Sequence, residues 1–342
     1  MKAVRFHEYG TASVLRHEDA LEPAVGPEDV LIRVRAVGLN HVDIDMRNGS
    51  SRLPLQLPHT LGFESGGDVA AVGSAVMDFA EGDRVTPLYQ VACRTCEPCI
   101  AGRQQFCRRL EMLGVQRAGG YAEYLVVPER AVVRMPEAMT YDQAASTQTT
   151  FATAWHCLIT RGRVQPGETV LISAAGSGVG SSGIQVAKRA GARVITSAGT
   201  NEKLDRAKAL GADFVVNYRE QDLTQVVREA TDGTGVDLVL EHVGGEIFER
   251  SLAAVATGGR VVVCGGHAGE VVQLDLIELF RNEWSVIGCA RATESELRTV
   301  IELVGRGELS PIVSERFALE DAVHAHEVME QRQQFGKLLL HP

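Results

Sequence analysis

The chain has 342 residues, a length that suggests about two domains, and its 45% apolar and 23% charged residues are typical of a soluble globular protein. Its 34 Lys and Arg residues against 44 Asp and Glu give a formal charge of −10, which argues against binding to nucleic acids or to anionic membrane surfaces. The N-terminal MKAVRFHEYG lacks the apolar stretch of a signal peptide, so we expect a cytoplasmic protein.

The first 135 residues are predicted to form short strands separated by turns that are rich in Gly, Pro and Asp. Residues 28–37 alternate apolar side chains with Arg33 and Arg35, a pattern typical of a half-buried strand. Further strand-like runs cover residues 68–72 and 121–127. This part of the chain is therefore expected to be rich in β-structure.

From residue 142 onward, predicted helices and strands alternate in a regular order. Helices are predicted at 142–159, 179–190, 201–210, 221–230, 246–256, 294–304 and 320–331. Strands are predicted at 169–173, 193–198, 214–218, 236–241, 260–265, 284–289 and 337–341. Strands such as VDLVLE and RVVVCG are almost entirely apolar, as expected when helices cover both faces of a sheet. The pattern predicts an α/β fold with a doubly wound parallel sheet.

A glycine-rich turn, AAGSGVG at residues 174–180, joins the first strand of this series to its first helix. Such a turn lets the backbone approach a pyrophosphate, to which the helix N-terminus presents N–H groups. The motif fits best with its last glycine at Gly180, which assigns the phosphates to Ser177, Gly178, Val179 and Gly180. A tight turn without a ligand is the alternative, but the surrounding βα units favour a dinucleotide site.

The end of the next predicted strand, residues 193–198, indicates whether the cofactor is NAD or NADPH. Enzymes that use NAD usually carry an acid about 20 residues after the glycine-rich turn, where it binds the ribose 2′-OH. Here that strand ends in Ala198, and Lys203 follows shortly after it. This favours a 2′-phosphate and hence NADPH, unless Lys203 is only a solvated helix residue.

Four cysteines occur in the loop of residues 91–108, spaced C-x2-C-x2-C-x7-C: Cys93, Cys96, Cys99 and Cys107. Four thiolates on one loop can close a tetrahedral zinc site that has no open position. An iron–sulfur cluster or four free thiols are the alternatives. The remaining cysteines are expected to be small buried residues: Cys157, Cys264 and Cys289.

Several segments together resemble the medium-chain dehydrogenase/reductase superfamily over nearly the whole chain: VRAVGLNHVDIDMRNG, LPHTLGFESGGDVAAVG, the four-cysteine loop, GGYAEYLVVP, AAGSGVG and GKLLLHP. The resemblance implies a GroES-like catalytic domain at residues 1–151 and 289–342, and a Rossmann NADP-binding domain at residues 152–288. It favours one structural zinc over an iron–sulfur cluster. It also implies a homodimer, with residues 261–264 and 285–288 at the edge of the sheet.

The resemblance also shows where the pattern of the zinc-dependent alcohol dehydrogenases is broken. Their catalytic zinc ligands fall at Asn40, at Phe63 and near Thr150, and the hydroxyl that starts their proton relay falls at Val42. None of these positions carries a suitable residue here. Two acids that support the zinc site in those enzymes are retained: Asp43 and Glu64.

The active-site pattern is instead similar to that of the quinone oxidoreductase (zeta-crystallin-like) branch, which shares G-L-N-x-x-D, T-A-W-H and the GTNEK and VVNYREQDL stretches. This resemblance implies that Lys203, Tyr218 and Arg332 contact the 2′-phosphate of NADPH. His41 takes the position at which zinc-dependent relatives often carry a basic residue that binds the pyrophosphate, and a surface histidine without a role is the alternative. Most members of that branch lack the four-cysteine loop. The chain therefore combines a structural zinc loop with the loss of the catalytic zinc ligands.

Hydride transfer to a quinone or an α,β-unsaturated carbonyl gives a delocalised anion that hydrogen-bond donors can stabilise without a metal. The candidate donors are the Asn40 amide and the Thr150 hydroxyl, although Asn40 could equally orient the nicotinamide carboxamide. Two other functions remain open. One is an alcohol or aldehyde dehydrogenase whose zinc is held by His41, Asp43, His59 and Glu64, and the other is a non-catalytic NADPH-binding protein.

Overall fold

The computed structural model describes all residues, Met1–Pro342, and its chain divides into two compact units. The first unit combines Met1–Thr149 with Thr293–Pro342, and the second is Thr150–Ala292. No helix has both the length and the apolar composition that a bilayer crossing requires.

The strands and helices are numbered separately, each in chain order. The strands are β1 Lys2–Phe6, β2 Arg16–Asp19, β3 Asp29–Gly38, β4 His59–Thr60, β5 Glu64–Val72, β6 Arg84–Pro87, β7 Gln90–Val91, β8 Glu111–Met112, β9 Tyr124–Pro128, β10 Val132–Arg134, β11 Thr169–Ile172, β12 Arg193–Ala198, β13 Phe214–Asn217, β14 Val236–Glu241, β15 Val255–Val263, β16 Ser285–Gly288, β17 Val313–Ala318 and β18 Lys337–His341. The helices are α1 His41–Asn48, α2 Glu97–Ile100, α3 Tyr141–Ala144, α4 Thr153–Trp155, α5 Gly178–Arg189, α6 Asn201–Ala209, α7 Leu223–Ala230, α8 Gly245–Ala253, α9 Leu276–Arg281, α10 Glu294–Gly305 and α11 Ala322–Glu330.

The main sheet of the first unit has the strand order β10-β6-β5-β3-β18-β17, and β9 also pairs with β3. Strand β3 shows the predicted alternation near its centre, where Arg33 and Arg35 are exposed and Val34 between them is buried. Strand β18, from the C-terminal tail, pairs antiparallel with β3 and sets Leu339 opposite Gly38. The tail is therefore an integral strand of this unit, and its first residue, Lys337, lies close to the end of β3.

The second unit contains a six-stranded sheet in the order β13-β12-β11-β14-β15-β16, with every pair parallel. Apolar side chains from its strands, such as Leu171 and Val239, form a fully buried core with helix residues such as Val227 and Phe248. The strand order reverses direction between β11 and β14. The carboxyl ends of these two strands border the crevice in which doubly wound sheets bind their ligands. The predicted α/β fold class is confirmed.

The prediction of one continuous helix at 142–159 is wrong. The structure breaks it into α3, a π-helical segment Gln148–Ala152, the short α4 and a second π-helical segment His156–Arg161. The backbone N–H of Thr149 explains the first interruption, because it donates to the Glu64 carboxylate at 2.9 Å instead of continuing the α-helical ladder.

Two further differences concern strands. The predicted helix at 246–256 ends at Ala253, because β15 begins at Val255, five residues before the predicted start of the strand. Strand β17 was not predicted at all, since its sequence VSERFA is polar and mostly exposed. It lies at the edge of its sheet, where one neighbouring strand suffices and no continuous apolar run is needed.

Candidate functional site

Asn40 lies in the short connection between β3 and α1. Asp43, one turn into the helix, accepts a hydrogen bond from the backbone N–H of Asn40 at 2.8 Å and so fixes the start of α1. The Asn40 side chain reaches two other residues, Lys337 at the start of β18 and Thr149. The helix start and the tail strand together therefore position this amide.

Lys337 determines how the Asn40 amide is oriented. Its ammonium group has three N–H donors and meets three acceptors: Leu39 O at 2.5 Å, Asn40 Oδ1 at 2.8 Å and Glu64 Oε1 at 2.5 Å. Because an ammonium group cannot accept a hydrogen bond, the amide atom that faces it must be Oδ1. The amide nitrogen Nδ2 is left with one long contact, 3.4 Å to Gly38 O. Asn40 therefore presents a fixed N–H donor with capacity for a ligand.

Thr149 and Glu64 complete this network. The Thr149 hydroxyl contacts Asn40 Oδ1 at 2.7 Å and also the Glu64 carboxylate. Glu64 is 0% exposed, so its charge is balanced within the protein interior by Lys337. The sequence singled out Thr150 as a donor, but the structure brings the preceding residue, Thr149, to Asn40. The Thr150 side chain lies in the π-helical segment and is 3% exposed.

Asp43 is the second buried carboxyl of this region. Its Oδ2 accepts from Asn40 N–H at 2.8 Å and from Tyr121 OH at 3.4 Å, whereas Oδ1 has no hydrogen-bond partner. Burial raises the pKa of Asp43 to about 7, against the opposing effects of backbone N–H donors and of the Lys337 charge. Asp43 is thus able to carry a proton near neutral pH.

A metal site built from His41, Asp43, His59 and Glu64 finds no geometric support, because these four residues do not bring their ligand atoms together. The ring Nε2 of His59 contacts Gly114 O at 2.8 Å, and Glu64 is held by Lys337. An ammonium group in contact with Glu64 repels a second cation. Phe63, where a histidine ligand would be needed, packs its ring against that of Tyr89.

The four loop cysteines converge as their spacing predicts. All four sulfurs lie within 4.8 Å of one another, with Cys96 Sγ 3.4 Å from Cys99 Sγ and 3.8 Å from Cys107 Sγ. A tetrahedron with Zn–S bonds of about 2.3 Å has sulfur–sulfur edges of about 3.8 Å, so one ion fits. Hydrogen bonds from Thr95 lower the pKa of Cys93 to about 5, whereas burial raises the pKa of Cys99 to about 12. Four thiolates this close together need a cation to balance them.

The glycine-rich turn has the geometry expected of a phosphate-binding turn. Ser177 caps helix α5, and its Oγ accepts from Gly180 N at 2.8 Å. Ala174 adopts a left-handed conformation with φ of 51°. A Cβ atom on Gly180 would lie 2.2 Å from Ala174 O, so only glycine fits where the helix returns to the strand. Gly178 and Val179 begin the helix whose N-terminal N–H groups can bind an anion.

His242 contributes to the same turn. It follows β14, and its Nε2 lies 2.8 Å from Ser177 Oγ. Ser177 Oγ also accepts from Gly180 N–H, and either the hydroxyl or the imidazole can be the donor in the contact with Nε2. The second ring nitrogen, Nδ1, is shielded from solvent and has no hydrogen-bond partner. Burial lowers the pKa of His242 to about 4, so the ring stays neutral.

A basic group lies beside this turn. A Cβ atom on Gly176 would lie 3.0 Å from the Lys203 side chain, and one on Gly199 would lie 2.7 Å from Tyr218 OH and 3.0 Å from Arg219 Nε. Burial lowers the pKa of Lys203, and the positive charge of Arg219 lowers it further. Two cations at this position suit an anionic ligand. Arg219 was missed from the sequence, although it directly follows Tyr218.

The other predicted cofactor residues are divided between the units. Ala198 is the last residue of β12 in the second unit. His41 is the first residue of α1, and Arg332 follows α11 with a left-handed φ of 55°. Both of these residues belong to the first unit, whereas the glycine-rich turn, Lys203 and Tyr218 belong to the second.

Two protein-family models match separate parts of the chain. An alcohol dehydrogenase GroES-like domain matches residues 26–137, and a zinc-binding dehydrogenase domain matches residues 178–306. An NAD-dependent alcohol dehydrogenase from Sulfolobus acidocaldarius is 30% identical, with 99% of each chain covered. A quinone oxidoreductase from Pseudomonas aeruginosa is also 30% identical, with 100% of this chain and 99% of that protein covered.

The similar solved structures likewise include both alcohol dehydrogenases and quinone oxidoreductases. The crystal structure of an NAD-dependent alcohol dehydrogenase superposes with a TM-score of 0.95 at 40% identity and covers 100% of both chains. A quinone oxidoreductase from Pseudomonas syringae pv. tomato superposes with a TM-score of 0.84 at 31% identity, covering 100% of this chain and 99% of that one. Similarity therefore indicates an oxidoreductase without choosing its substrate.

We expect one zinc ion per chain, bound by the four loop cysteines. Cys96→Ser should release the zinc and lower the melting temperature, because a closed four-thiolate site stabilises the loop. Elemental analysis and thermal unfolding measure both effects, and Cys264→Ser, outside the loop, should retain the metal. Native protein with no zinc, or with two ions, would contradict this assignment.

Asp43 should make the stability of the protein depend on pH. Its pKa is raised from 3.8 to about 7 by folding, so the native chain holds a proton that the unfolded chain has released. The contribution of Asp43 to the free energy of unfolding therefore falls between about pH 4 and pH 7, by up to about 4 kcal/mol. Urea unfolding should show that Asp43→Asn flattens this fall.

The matched control is Asp78→Asn, which changes an exposed acid and should leave the pH dependence as in the unmodified protein. Parallel stability curves for Asp43→Asn and the unmodified protein would show that Asp43 is ionised throughout this range.

Proposed function

We propose that this chain, which belongs to the medium-chain dehydrogenase/reductase superfamily, is an NADPH-dependent reductase of quinones or α,β-unsaturated carbonyls that needs no catalytic metal. The proposal rests above all on the Asn40 amide. Its oxygen is held by Lys337 and Thr149, so its nitrogen is a donor of fixed direction.

The chemistry of the acceptor follows from the residues available. Hydride addition to an isolated ketone creates a localised alkoxide, for which a Lewis acid is the usual stabiliser. Addition to a quinone or a conjugated carbonyl spreads the charge, and a neutral N–H donor then suffices. The positions of the catalytic metal ligands in zinc-dependent relatives carry Asn40, Phe63 and Thr150 here. This set does not fit a zinc ion.

Asn40 has one defined task in this mechanism. NADPH would supply the hydride when bound, and Asn40 Nδ2 would donate a hydrogen bond to the acceptor oxygen as negative charge develops on it. The same donor could hold the carboxamide oxygen of the nicotinamide instead, and only kinetics separates the two roles. In either role, Lys337, which is itself held by Glu64, prevents a flip of the Asn40 amide. A flipped amide would direct the donor Nδ2 at the ammonium group, which is also a donor.

The choice of NADPH rests on the basic group beside the glycine-rich turn. Lys203, Tyr218 and Arg219 would bind the 2′-phosphate, with Arg332 as a further contact, and Ala198 leaves room for it. The pyrophosphate would lie on the turn from Ser177 to Gly180 and be contacted by His41. The Nδ1 atom of His242, which has no partner, is available for a hydrogen bond with a ribose hydroxyl.

Alcohol dehydrogenase activity is the second candidate, because the structure with 40% identity carries that name. The two candidates differ in the acceptors they would reduce. NADPH oxidation measured with quinones, enones, saturated aldehydes and ketones, together with NADP reduction by alcohols, separates them. We expect turnover only with the conjugated acceptors. Turnover with alcohols alone would reject the proposal, and no turnover with any compound would favour a non-catalytic NADPH-binding protein.

Asn40→Ala should lower turnover with a quinone by roughly 10²–10³-fold if its amide stabilises the developing oxyanion. Steady-state kinetics should show the loss in kcat, with little change in the Kd for NADPH. Asn48→Ala, an exposed asparagine at the end of α1, is the matched control and should behave like the unmodified protein. A small loss confined to NADPH binding would assign Asn40 to the nicotinamide instead.

The unmodified protein should bind NADPH more tightly than NADH, and Lys203→Ala should remove much of this preference. A charge-assisted hydrogen bond contributes about 1.5–3 kcal/mol, so the Kd for NADPH should rise roughly 10- to 150-fold. Calorimetric titration should find NADH binding nearly unchanged. Lys208→Ala, on the exposed face of the same helix, serves as the control. Equal affinity of the unmodified protein for both cofactors would refute the assignment.

We also expect a homodimer formed through the edge of the parallel sheet. Strand β16 is the edge strand, and Val286 on it is 42% exposed. Apolar residues of helix α9, such as Leu276 and Phe280, are also exposed. Pairing β16 with its copy across a two-fold axis would cover this edge. Light scattering should give the dimer mass, and Val286→Glu should give a monomer. A monomeric unmodified protein at micromolar concentration would be incompatible with this arrangement.

A further inference from the structure

Three cysteines outside the zinc loop meet at the carboxyl edge of the parallel sheet, and we refer to them as the thiol cluster: Cys157, Cys264 and Cys289. Two of them leave neighbouring strands side by side, because Val263 of β15 pairs with Gly288 of β16 and a cysteine follows each. The backbone N–H of Cys289 donates to Val263 O at 2.8 Å. The register of the two strands therefore fixes the positions of Cys264 and Cys289 relative to each other.

Cys157 approaches the same edge from the π-helical segment His156–Arg161. Its thiol is in hydrogen-bonding contact with the thiols of both Cys264 and Cys289. Arg161 in the same segment donates from Nε to Gly288 O at 3.2 Å, which ties the segment to the end of β16. The contact between the three thiols is thus supported by a backbone hydrogen bond on one side and by a side-chain hydrogen bond from Arg161 on the other.

The three thiols differ in their access to solvent. Cys157 is 0% exposed and Cys289 is 8% exposed, whereas Cys264 is partly open. The neighbouring thiols and burial raise the pKa of Cys157 well above its ordinary value, so it remains a protonated thiol. A soluble oxidant therefore meets Cys264 first and finds Cys157 in contact behind it.

We propose that Cys264 and Cys157 form a peroxide-reactive dithiol that closes into a disulfide across the carboxyl edge of the sheet. The Cys264 thiolate attacks one oxygen of hydrogen peroxide, so an S–O bond forms, the O–O bond breaks, and the departing hydroxide takes up a proton to become water. The sulfur of Cys157 then attacks the sulfur of the sulfenic acid while the thiol proton of Cys157 passes to the departing hydroxyl, so an S–S bond replaces the S–O bond and a second water leaves. Two thiols lose two electrons and one peroxide becomes two waters.

The location gives this disulfide a consequence. Cys264 N–H donates to Glu241 O at 2.9 Å, directly beside His242, and a Cβ atom on Gly265 would lie 2.6 Å from His242 O. The chain after Cys264 therefore packs against the strand end that carries the His242 imidazole, whose Nδ1 has no partner. Dinucleotides bind at this edge of doubly wound sheets. Tethering Cys264 to Cys157 should therefore hinder nucleotide binding. This effect rests on the proposed dinucleotide site, whereas the formation of the disulfide does not depend on that site.

The first experiment maps the bond. The zinc-loaded protein is treated with equimolar hydrogen peroxide, remaining thiols are blocked with N-ethylmaleimide, and peptides are analysed by mass spectrometry. We expect a cross-link between the Cys157 and Cys264 peptides in the unmodified protein and in Cys289→Ser, but none in Cys264→Ser. In Cys157→Ala, dimedone should trap the sulfenic acid on Cys264. A Cys264–Cys289 cross-link, or complete alkylation of Cys157 and Cys264, would overturn the proposal.

Zinc release, followed with a colorimetric chelator, shows whether the zinc loop is oxidised first. We expect the cross-link to form before zinc is lost, and the opposite order would overturn the proposal.

The second experiment measures the consequence. We expect the oxidised protein to bind NADPH several-fold more weakly than the reduced protein and to recover after treatment with dithiothreitol. Cys264→Ser should keep its affinity after the same peroxide treatment. Unchanged affinity of the cross-linked protein would show that the dithiol does not control the nucleotide edge, while failure of both forms to bind any dinucleotide would instead reject the proposed cofactor.

Discussion

The candidate site depends on one buried ammonium group. Lys337 is contributed by the C-terminal strand, yet it binds the end of β3 through Leu39 O and the start of β5 through Glu64. A buried ion pair is weak evidence for stability, because desolvation opposes the attraction between the charges. The ion pair has a clear effect on the orientation of the Asn40 amide, because Oδ1 must be the amide atom that faces the Lys337 ammonium group. Removing either charge would leave the other buried and uncompensated, and the amide would lose its direction.

The same ion pair explains how this region accommodates two acids without a metal ligand set. Lys337 neutralises Glu64, and the raised pKa of Asp43 allows a proton to neutralise the second carboxyl near pH 7. With both negative charges compensated, neither carboxyl group attracts a divalent cation strongly. The only metal-ligand geometry within one unit is the four-cysteine loop, a closed set of sulfurs that leaves no position for a substrate. The four-cysteine loop and the Asn40 amide thus belong to different sets of residues, the first suited to a metal ion and the second to a hydrogen-bonded ligand.

The sequence predicted the second unit well because its strands are apolar on both faces. The bounds of β12 and β14 agree with the prediction to the residue, as do those of the tail strand β18. The four cysteines could be predicted to converge because their spacing lies on one short loop. The edge strand β17 could not be predicted, since a polar, exposed strand lacks an apolar pattern.

The parts of the site that were missed depend on long-range contacts. Lys337 looks like an ordinary solvated lysine in GKLLLHP, and only the pairing of β18 with β3 places it against Asn40. Thr149 and Thr150 are adjacent in TQTT, and the sequence does not show that the Thr149 hydroxyl contacts Asn40 Oδ1. His242 lies 65 residues after Ser177 in the chain, and only the fold brings their side chains into contact. None of these contacts has a local sequence signal.

Metal removal tests the central claim most directly. NADPH turnover with 1,4-benzoquinone is measured before and after dialysis against a chelator that strips labile metal, while zinc per chain is counted on the same samples. The account predicts unchanged turnover, with the structural zinc retained and with no oxidation of a saturated alcohol. Turnover that collapses on chelation and returns with added zinc, together with vigorous alcohol oxidation, would contradict it and would require a catalytic metal in this site.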